Sequence, residues 1–443
     1  MRVKNKLVFL LAVLCCLALC PGSALGEDGA QAAPVDYAAQ VELNPADQTA
    51  ARQEATVKTF VDGDTTHFWV PETLVPGGVL KVRYLGINTP ESTGLVQPYG
   101  KAASNFTREK LESAVSIIVE SESDSWNTDS TGDRYLGWVW YQPAEGEPYR
   151  CLNIELLQNG LANPTSVSDS RYKDVCMAAY NQAKALKLNL YSGQPDPDFY
   201  YGDAIELTLR ELRCDVESYV GKKVAFNGVV TVNTGSNGVY VESYDAETGL
   251  YFGLPIFYGY GLSGMGLNIL AIGNEVRIVG TVQYYEAGNA YQVSGLTYKM
   301  MKPQDPENIQ KLSDGHQPAY VPTDPETFAN GKVAIEGENG ESREFDYAML
   351  AQATSVSMEG LLVKEVIPSL DDAGEPTGGM TLRCQAGETE IQVRLAALKH
   401  ENGDPMTAED FLDKTVDVRG IVDSFGGTYQ IKVLLRDGVK IRP

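Results

Sequence analysis

Val61-Asp62-Gly63-Asp64-Thr65, followed by Arg83-Tyr-Leu-Gly-Ile-Asn88-Thr89-Pro90-Glu91, decides the reading of this chain. Strand-like alternation flanks the first motif in Ala55–Val61 and Thr65–Val70, and leads into the second through Leu80–Ile87. A tight turn therefore joins two strands, and a third strand runs into a Thr-Pro-Glu corner. Beyond it, Ala103, Phe106, Leu111 and Ala114 fall on one wide helical stripe. Two further strands are expected at Val115–Glu120 and Arg134–Tyr141. Val175, Ala179, Ala183, Leu186 and Leu190 then recur at helical spacing, predicting an amphipathic helix. Strands first, with helices interleaved late, describe an α+β arrangement in which a small barrel is packed by helices.

The two motifs also carry the residues suited to chemistry. Asp64 ends a tight Asp-Gly-Asp turn, where a carboxylate is expected to be exposed on a fixed backbone. Asn88 offers a side-chain carbonyl and Thr89 a main-chain carbonyl just past a strand. Hard oxygen ligands of this kind suit Ca²⁺, which accepts carboxylates, amide oxygens and backbone carbonyls together. Glu91 stands beyond Pro90, which stiffens the turn and could hold that carboxylate beside the metal. Arg83 precedes Asn88 on the strand, and alternation lets its side chain enter the same pocket. Taken alone, Asp-Gly-Asp-Thr is more often an ordinary solvated turn. Two motifs at this spacing reverse that balance.

The chain has 443 residues and a formal net charge of -23. That length suggests two to four domains. The acidity excludes a protein that holds polyanions by bulk charge, because such affinity comes from Lys and Arg. Any chemistry on nucleic acid must instead rely on a metal cation or a few placed arginines. Arg2, Lys4 and Lys6 precede an apolar run from Leu7 to Leu19, and Ala24 and Gly26 stand before Glu27. This reads as a cleaved secretory signal over 1–26, too short to span a bilayer. A lipid anchor at Cys20 is the rival, disfavoured by the bulky Leu19. Outside that segment lie Cys151, Cys176, Cys214 and Cys384, whose spacings resemble no zinc site and whose pairing arithmetic alone leaves open. His67, His316 and His400 are the only histidines and sit in separate regions.

Residues 27–53 lack periodicity and are expected to form a flexible leader. A structured region follows over 54–192, with linker signals over 193–203 and 302–326. Between and after the linkers lies an internal repeat. Val224-Ala-Phe226-Asn-Gly228-Val229 returns as Val356-Ser-Met358-Glu-Gly360-Leu361. Val276-Arg-Ile-Val-Gly280-Thr-Val282 returns as Val416-Asp-Val-Arg-Gly420-Ile-Val422, and Tyr291-Gln-Val293 returns as Tyr429-Gln-Ile431. Strands broken by a fixed glycine suit small barrels that bend sharply there. The pattern resembles the OB-fold, giving two mainly-β modules at 204–301 and 327–443.

Residues from about 55 to 192 resemble the thermonuclease-like family of phosphodiesterases. The resemblance rests on the Asp-Gly-Asp-Thr turn, the arginine strand leading to Thr-Pro-Glu, and Tyr99-Gly100 opening a helix. Gln158-Asn-Gly-Leu161-Ala162 and the ending Leu188-Asn-Leu-Tyr-Ser192 add to it. It implies a five-stranded OB-type barrel with three helices, cleaving DNA and RNA with little sequence preference and leaving the phosphate on the 3′ side. Asp64, the residue at 88 and the Thr89 carbonyl would hold one Ca²⁺. Glu91 would act as general base or orient the attacking water. Arg83 and a second arginine would pair with the phosphate oxygens, a task that suits the planar, permanently charged guanidinium. Two departures stand out. Asn88 replaces the usual Asp. The usual Asp-x-Tyr-Gly-Arg stretch becomes Asp129-Ser-Thr-Gly132-Asp-Arg134, which puts Arg134 at the second arginine's place if one residue is inserted. The family analogy also points Cys151 and Cys176 into the interior, as a disulfide or as two free thiols.

Two weaker signals remain. Gly259-Tyr-Gly261-Leu-Ser-Gly264 matches a dinucleotide-binding pattern but reads better as a loop of the first OB-like module. Tyrosines crowd that module without a basic stripe, so core packing and cross-strand pairs account for them better than base stacking. The leading expectation is a secreted, calcium-dependent nuclease with DNA and RNA as substrates. The competing one is a catalytically weakened scaffold that binds nucleic acid or another partner at the cell surface.

Overall fold

The computed structural model describes residues 33–442 apart from 45, 235–236, 260–261, 286–287, 338–340 and 372–373. The expected signal and Cys20 lie outside the described residues, as do Tyr260 and Gly261 of the glycine-rich stretch.

β1 (Arg52–Asp62), β2 (Thr65–Trp69) and β3 (Val79–Tyr84) form an antiparallel meander. After α1 (Gly100–Glu112), β4 (Ser116–Glu120) returns beside β1. β5 (Tyr135–Gln142) then pairs antiparallel with β4 and parallel with β3, closing a barrel. Phe68, Leu80, Val82, Tyr84, Val119 and Val139 fill the barrel interior, while Trp138 and Trp140, on the opposite face of β5, are buried against Tyr172 at the start of the last helix. Leu152 and Ile154 of α2 (Leu152–Gln158) join the same core, as does Ala179 of α3 (Lys173–Ala185).

Two expectations about this region change. The last helix ends at Ala185 rather than running to Leu190, because Lys187 and Asn189 adopt left-handed backbones (φ 54° and 40°) and a single 3-10 turn follows. The leader is also partly ordered. Tyr37–Gln40 forms a 3-10 turn whose Ala38 is fully buried, and Gln158 Oε1 accepts the Tyr37 and Ala38 N–H groups at 2.9 and 3.1 Å. A segment without periodicity is still held when its backbone donors meet a fixed acceptor.

The repeat forms two barrels with the strand order of the first. The earlier one comprises α4 (Leu209–Cys214), β6 (Lys223–Asn233), β7 (Gly238–Asp245), β8 (Leu250–Phe257), α5 (Met265–Ile269), β9 (Glu275–Tyr285) and β10 (Ala290–Ser294). A hairpin of β11 (Lys332–Glu336) and β12 (Ser342–Asp346) leads through α6 (Tyr347–Leu350) to the later one. That barrel comprises β13 (Ser355–Leu370), β14 (Pro376–Ala386), β15 (Thr389–Leu395), α7 (Ala408–Phe411), β16 (Thr415–Phe425) and β17 (Thr428–Val433). All three barrels are thus OB-like. The short helix α5 after the glycine-rich stretch belongs to the second.

The repeated motifs hold the same register: Val224 faces Gly280, and Val356 faces Gly420. Each copy closes through a parallel pairing, Ile256 with Val293 and Val393 with Ile431. The fixed glycines have one physical cause. A Cβ at Gly280 would lie 2.5 Å from the Ser294 carbonyl oxygen, and one at Gly420 would lie 2.5 Å from that of Lys432. The crowded tyrosines include two cross-strand pairs, Tyr244 with Tyr251 and Tyr284 with Tyr291, with ring centroids 5.2 and 5.0 Å apart.

The stretch 302–326 contributes strands of its own: Gln310–Ser313 pairs with β9 and Val321–Pro322 with β13. Ile335 and Phe345 of the hairpin pack into the core of the second barrel. Second and third barrels also share a small core of Val232, Tyr240, Ala353 and Ile421. Beside it, the buried Glu242 carboxylate accepts the Ala319 N–H at 2.8 Å, the Ser355 N–H at 2.6 Å and the Ser355 hydroxyl at 2.9 Å. Among the described residues, no helix is long and apolar enough to cross a membrane.

Candidate active site

The Asp62-Gly63-Asp64 turn links β1 to β2 at one end of the first barrel. A Cβ on Gly63 would lie 2.8 Å from Ala103 Cβ and 2.9 Å from Thr89, so the turn packs directly under α1 and the Thr89 corner. Thr107 Oγ1 on α1 donates to the Gly63 carbonyl at 2.6 Å. This packing corrects the expectation of an exposed carboxylate, because Asp64 is only 1% exposed. Its Oδ2 accepts the Thr89 N–H at 2.7 Å, and its own N–H donates to Asp62 Oδ1 at 3.1 Å. Burial and the neighbouring Asp62 charge push its carboxyl up to about 7, against the pull of Arg83 and the Thr89 N–H.

Arg83 faces Thr65 across β2 and Leu136 across β5. Its Nη1 pairs with Asp64 Oδ1, while Nη2 donates to Asn88 Oδ1 at 2.5 Å. One guanidinium thus gathers the oxygens of two expected metal ligands. Thr89 is buried and meets Asp64 through its N–H, while its carbonyl lies 3.4 Å from Asn88 Nδ2.

Glu91 is exposed, but its backbone is pinned. Its N–H donates to Gln97 Oε1 at 3.1 Å, and its carbonyl accepts the Gln97 N–H at 2.9 Å. Gly100, the first residue of α1, lets that carbonyl pass where a Cβ would come within 2.1 Å of it. Partial desolvation and the Asp62 charge raise the Glu91 carboxyl, and Arg83 and Arg134 oppose them. The structure therefore brings Glu91 into the electrostatic reach of both arginines.

Arg134 sits just before β5, two positions ahead of Leu136, the partner of Arg83. The inserted stretch forms a tight turn: Asp129 N–H donates to the Arg134 carbonyl at 2.8 Å, and Gly132 takes φ 79°. Arg134 Nε donates to Asp129 Oδ2 at 2.7 Å, and the side chain stays 33% exposed.

Sequence reasoning missed three contributors. Asp62 is buried beside Asp64, and its charge bears on both Asp64 and Glu91; the quoted turn contained it, read only as a turn residue. Gln97 fixes the Glu91 backbone. The corner also reaches the second barrel, where Ser294 Oγ lies 3.1 Å from the Gly94 carbonyl oxygen and 2.6 Å from Gln283 Oε1. No local signal in the sequence announces that contact, which joins residues remote along the chain.

Asp64, Asn88 and Thr89 supply only hard oxygens, and Asp64 and Asn88 already share one cationic partner. That donor set fits Ca²⁺. Among the described residues, no group of three or more His, Cys, Asp or Glu gathers to hold a metal ion. Of the cysteines, Cys151 and Cys176 are both fully buried, as the family analogy expected. They are free thiols rather than a disulfide, and burial in the apolar core raises both thiols.

Residues 81–193 match the family described as staphylococcal nuclease homologue. Among curated proteins, the chain is 33% identical over 139 residues to a thermonuclease of Staphylococcus intermedius, covering 30% of this chain and 74% of that protein. It is 32% identical over 149 residues to a thermonuclease of Staphylococcus hyicus, covering 32% of this chain and 78% of that protein. At the level of class, these matches define a nuclease-type phosphodiester hydrolase. The chain belongs to the staphylococcal nuclease homologue family. The family match includes Arg83, Asn88, Thr89, Glu91 and Arg134, with Asp62 and Asp64 just ahead of it on the β1–β2 turn.

Proposed function

We propose that this protein is a secreted, calcium-dependent nuclease that hydrolyses phosphodiester bonds of DNA and RNA. The observation that carries the reading is the Arg83 guanidinium lying between Asp64 and Asn88, with Glu91 and Arg134 at the same end of the barrel. Asp64, the Asn88 amide oxygen and the Thr89 carbonyl would hold Ca²⁺, which supplies a positive charge against the phosphate when bound.

The remaining steps belong to the chain's own side chains. Arg83 and Arg134 pair with the phosphate oxygens, and Arg83 exchanges its carboxylate partner for the substrate as it does so. Their fixed charges stabilise the negative charge that grows on the phosphoryl group. Glu91 orients the attacking water and accepts its proton. Its raised carboxyl, a consequence of partial desolvation and Asp62, makes it a stronger base than a free glutamate. The Gln97 and Gly100 contacts keep that base in place.

One observation favours a second reading. Asn88 removes a negative ligand, and Arg83 already neutralises Asp64, so the domain would serve as a weakened scaffold binding nucleic acid or another partner at the cell surface. Digestion of single-stranded DNA by the full chain, with millimolar Ca²⁺ against excess chelator, separates the two. Cleavage only with Ca²⁺ supports the enzyme. No cleavage at any Ca²⁺ concentration overturns it in favour of the scaffold.

A further inference from the structure

A cleft of about 430 Å³ opens where the second barrel meets the hairpin and the third barrel. That volume is within the range of small-ligand sites, roughly 300–1,000 Å³. Its lining includes Arg213 at the end of α4, Arg343 on β12, and the repeat-equivalent pair Tyr291 and Tyr429. The acids lining it are Asp215 and Glu217.

Two arginines and two acids line this cleft, but neither acid is paired with Arg213. Asp215 faces Arg343 at 4.0 Å, and Glu217 accepts a hydrogen bond from Tyr291. Arg213 is 3% exposed. Its Nε and Nη2 donate to the Met349 carbonyl at 3.0 and 2.9 Å, and Nη2 also meets Gln352 Oε1. Its Nη1 has no hydrogen-bond partner, and among the described residues no carboxylate lies within ion-pair distance of Arg213. Burial without an anion pushes its pKa down to about 10, an unusual condition for a guanidinium. A buried charge is normally paired, because an unpaired one is costly to take out of water. Clamping α6 explains the two bonded nitrogens and leaves the third unexplained.

We propose that this cleft is a binding site for a small oxyanion, a carboxylate or phosphate on a molecule of monosaccharide or mononucleotide size, with Arg213 as its counter-ion. Arg343 at the exposed rim draws the anion in, and Tyr429 offers its hydroxyl group to it. The site lies outside the candidate active site and needs no bound metal.

Isothermal titration of the full chain in chelator tests this, with glucuronate in one arm and inorganic phosphate in the other. Saturable heat in either arm is expected, and the arm that gives it identifies the class of anion. Arg213→Gln should abolish that heat. Arg343→Glu, at a side chain 61% exposed, should weaken binding by at least about tenfold. Phosphate can also meet Arg83 and Arg134, so only heat that both cleft substitutions reduce counts for this site. If Arg213→Gln loses its native circular dichroism, Arg343→Glu alone decides. No heat with either anion at millimolar concentration, or heat unchanged by Arg343→Glu, would overturn the proposal.

Discussion

Gly100→Ala separates local helix preference from packing at the Glu91 corner, because the two predict opposite signs. Gly100 is the first residue of α1 and has no left-handed backbone, so alanine there should favour the helix by about 0.5–1 kcal/mol. The packing says otherwise. The added Cβ would lie 2.1 Å from the Glu91 carbonyl oxygen, 2.6 Å from its carbon and 3.1 Å from the Pro90 oxygen. All three are backbone atoms, so no side chain can swing aside, and the corner must retreat by about 1 Å to restore close packing. Overpacking of this kind costs about 1–3 kcal/mol, which outweighs the helix gain. A shift of about 1 Å in a catalytic group costs on the order of 10²-fold in rate. Urea unfolding and single-stranded DNA digestion on the same preparation give both numbers. A variant as stable as the wild type, with kcat within about twofold, would refute the packing argument.

Asn88→Asp restores a second carboxylate beside Asp64, and the Ca²⁺ concentration giving half-maximal cleavage should fall by about tenfold, since ligand charge tunes such sites; an unchanged or higher requirement would remove Asn88 from the metal set. Ser294→Ala loses the hydroxyl beside the Gly94 carbonyl, so the loop after Glu91 should be cut faster by a nonspecific protease and kcat should drop by about two- to fivefold. Unaltered proteolysis would mean that the second barrel does not steady that loop. Glu242→Ala strands two backbone N–H groups between the second and third barrels and should cost about 1–3 kcal/mol in denaturant unfolding. Burial raises the Glu242 carboxyl above its unfolded value, so its contribution is full below the usual carboxylate range and is lost as pH rises through the folded value. The stability gap between wild type and Glu242→Ala should therefore narrow with rising pH; a gap that widens contradicts the assignment.

The parts of the fold legible in the sequence were those where a local pattern has a local cause. Alternation marked the strands of the first barrel, and the paired glycines of the repeat marked Gly280 and Gly420, where a neighbouring carbonyl excludes a side chain. Five of the six candidate residues lie together because the turn, β3 and the corner that carry them are short and stiff, whereas Arg134 comes from the separate turn before β5 and bears on Glu91 through its charge. What stayed hidden depended on distant elements. Asp64 reads as exposed until Ala103 and Thr89 close over the turn. Ala38 has no apolar periodicity around it, and distant groups hold its turn in place: Gln158 on the backbone N–H groups and Arg150 on Asp36. Arg83 was expected to face phosphate, yet its first partners are Asp64 and Asn88, a contact that spacing alone could not specify. The seat of Gly94 on Ser294 depends on the second barrel and has no trace in the motif itself.

The measurement that bears most directly on the central claim is the kinetics of Glu91→Gln in saturating Ca²⁺ on single-stranded DNA. The substitution keeps the corner and its Gln97 contacts but removes the base. It should lower kcat by about 10²–10⁴-fold while leaving KM within a few-fold. Cleavage that persists at the wild-type rate would contradict the role given to Glu91, and with it the proposed site.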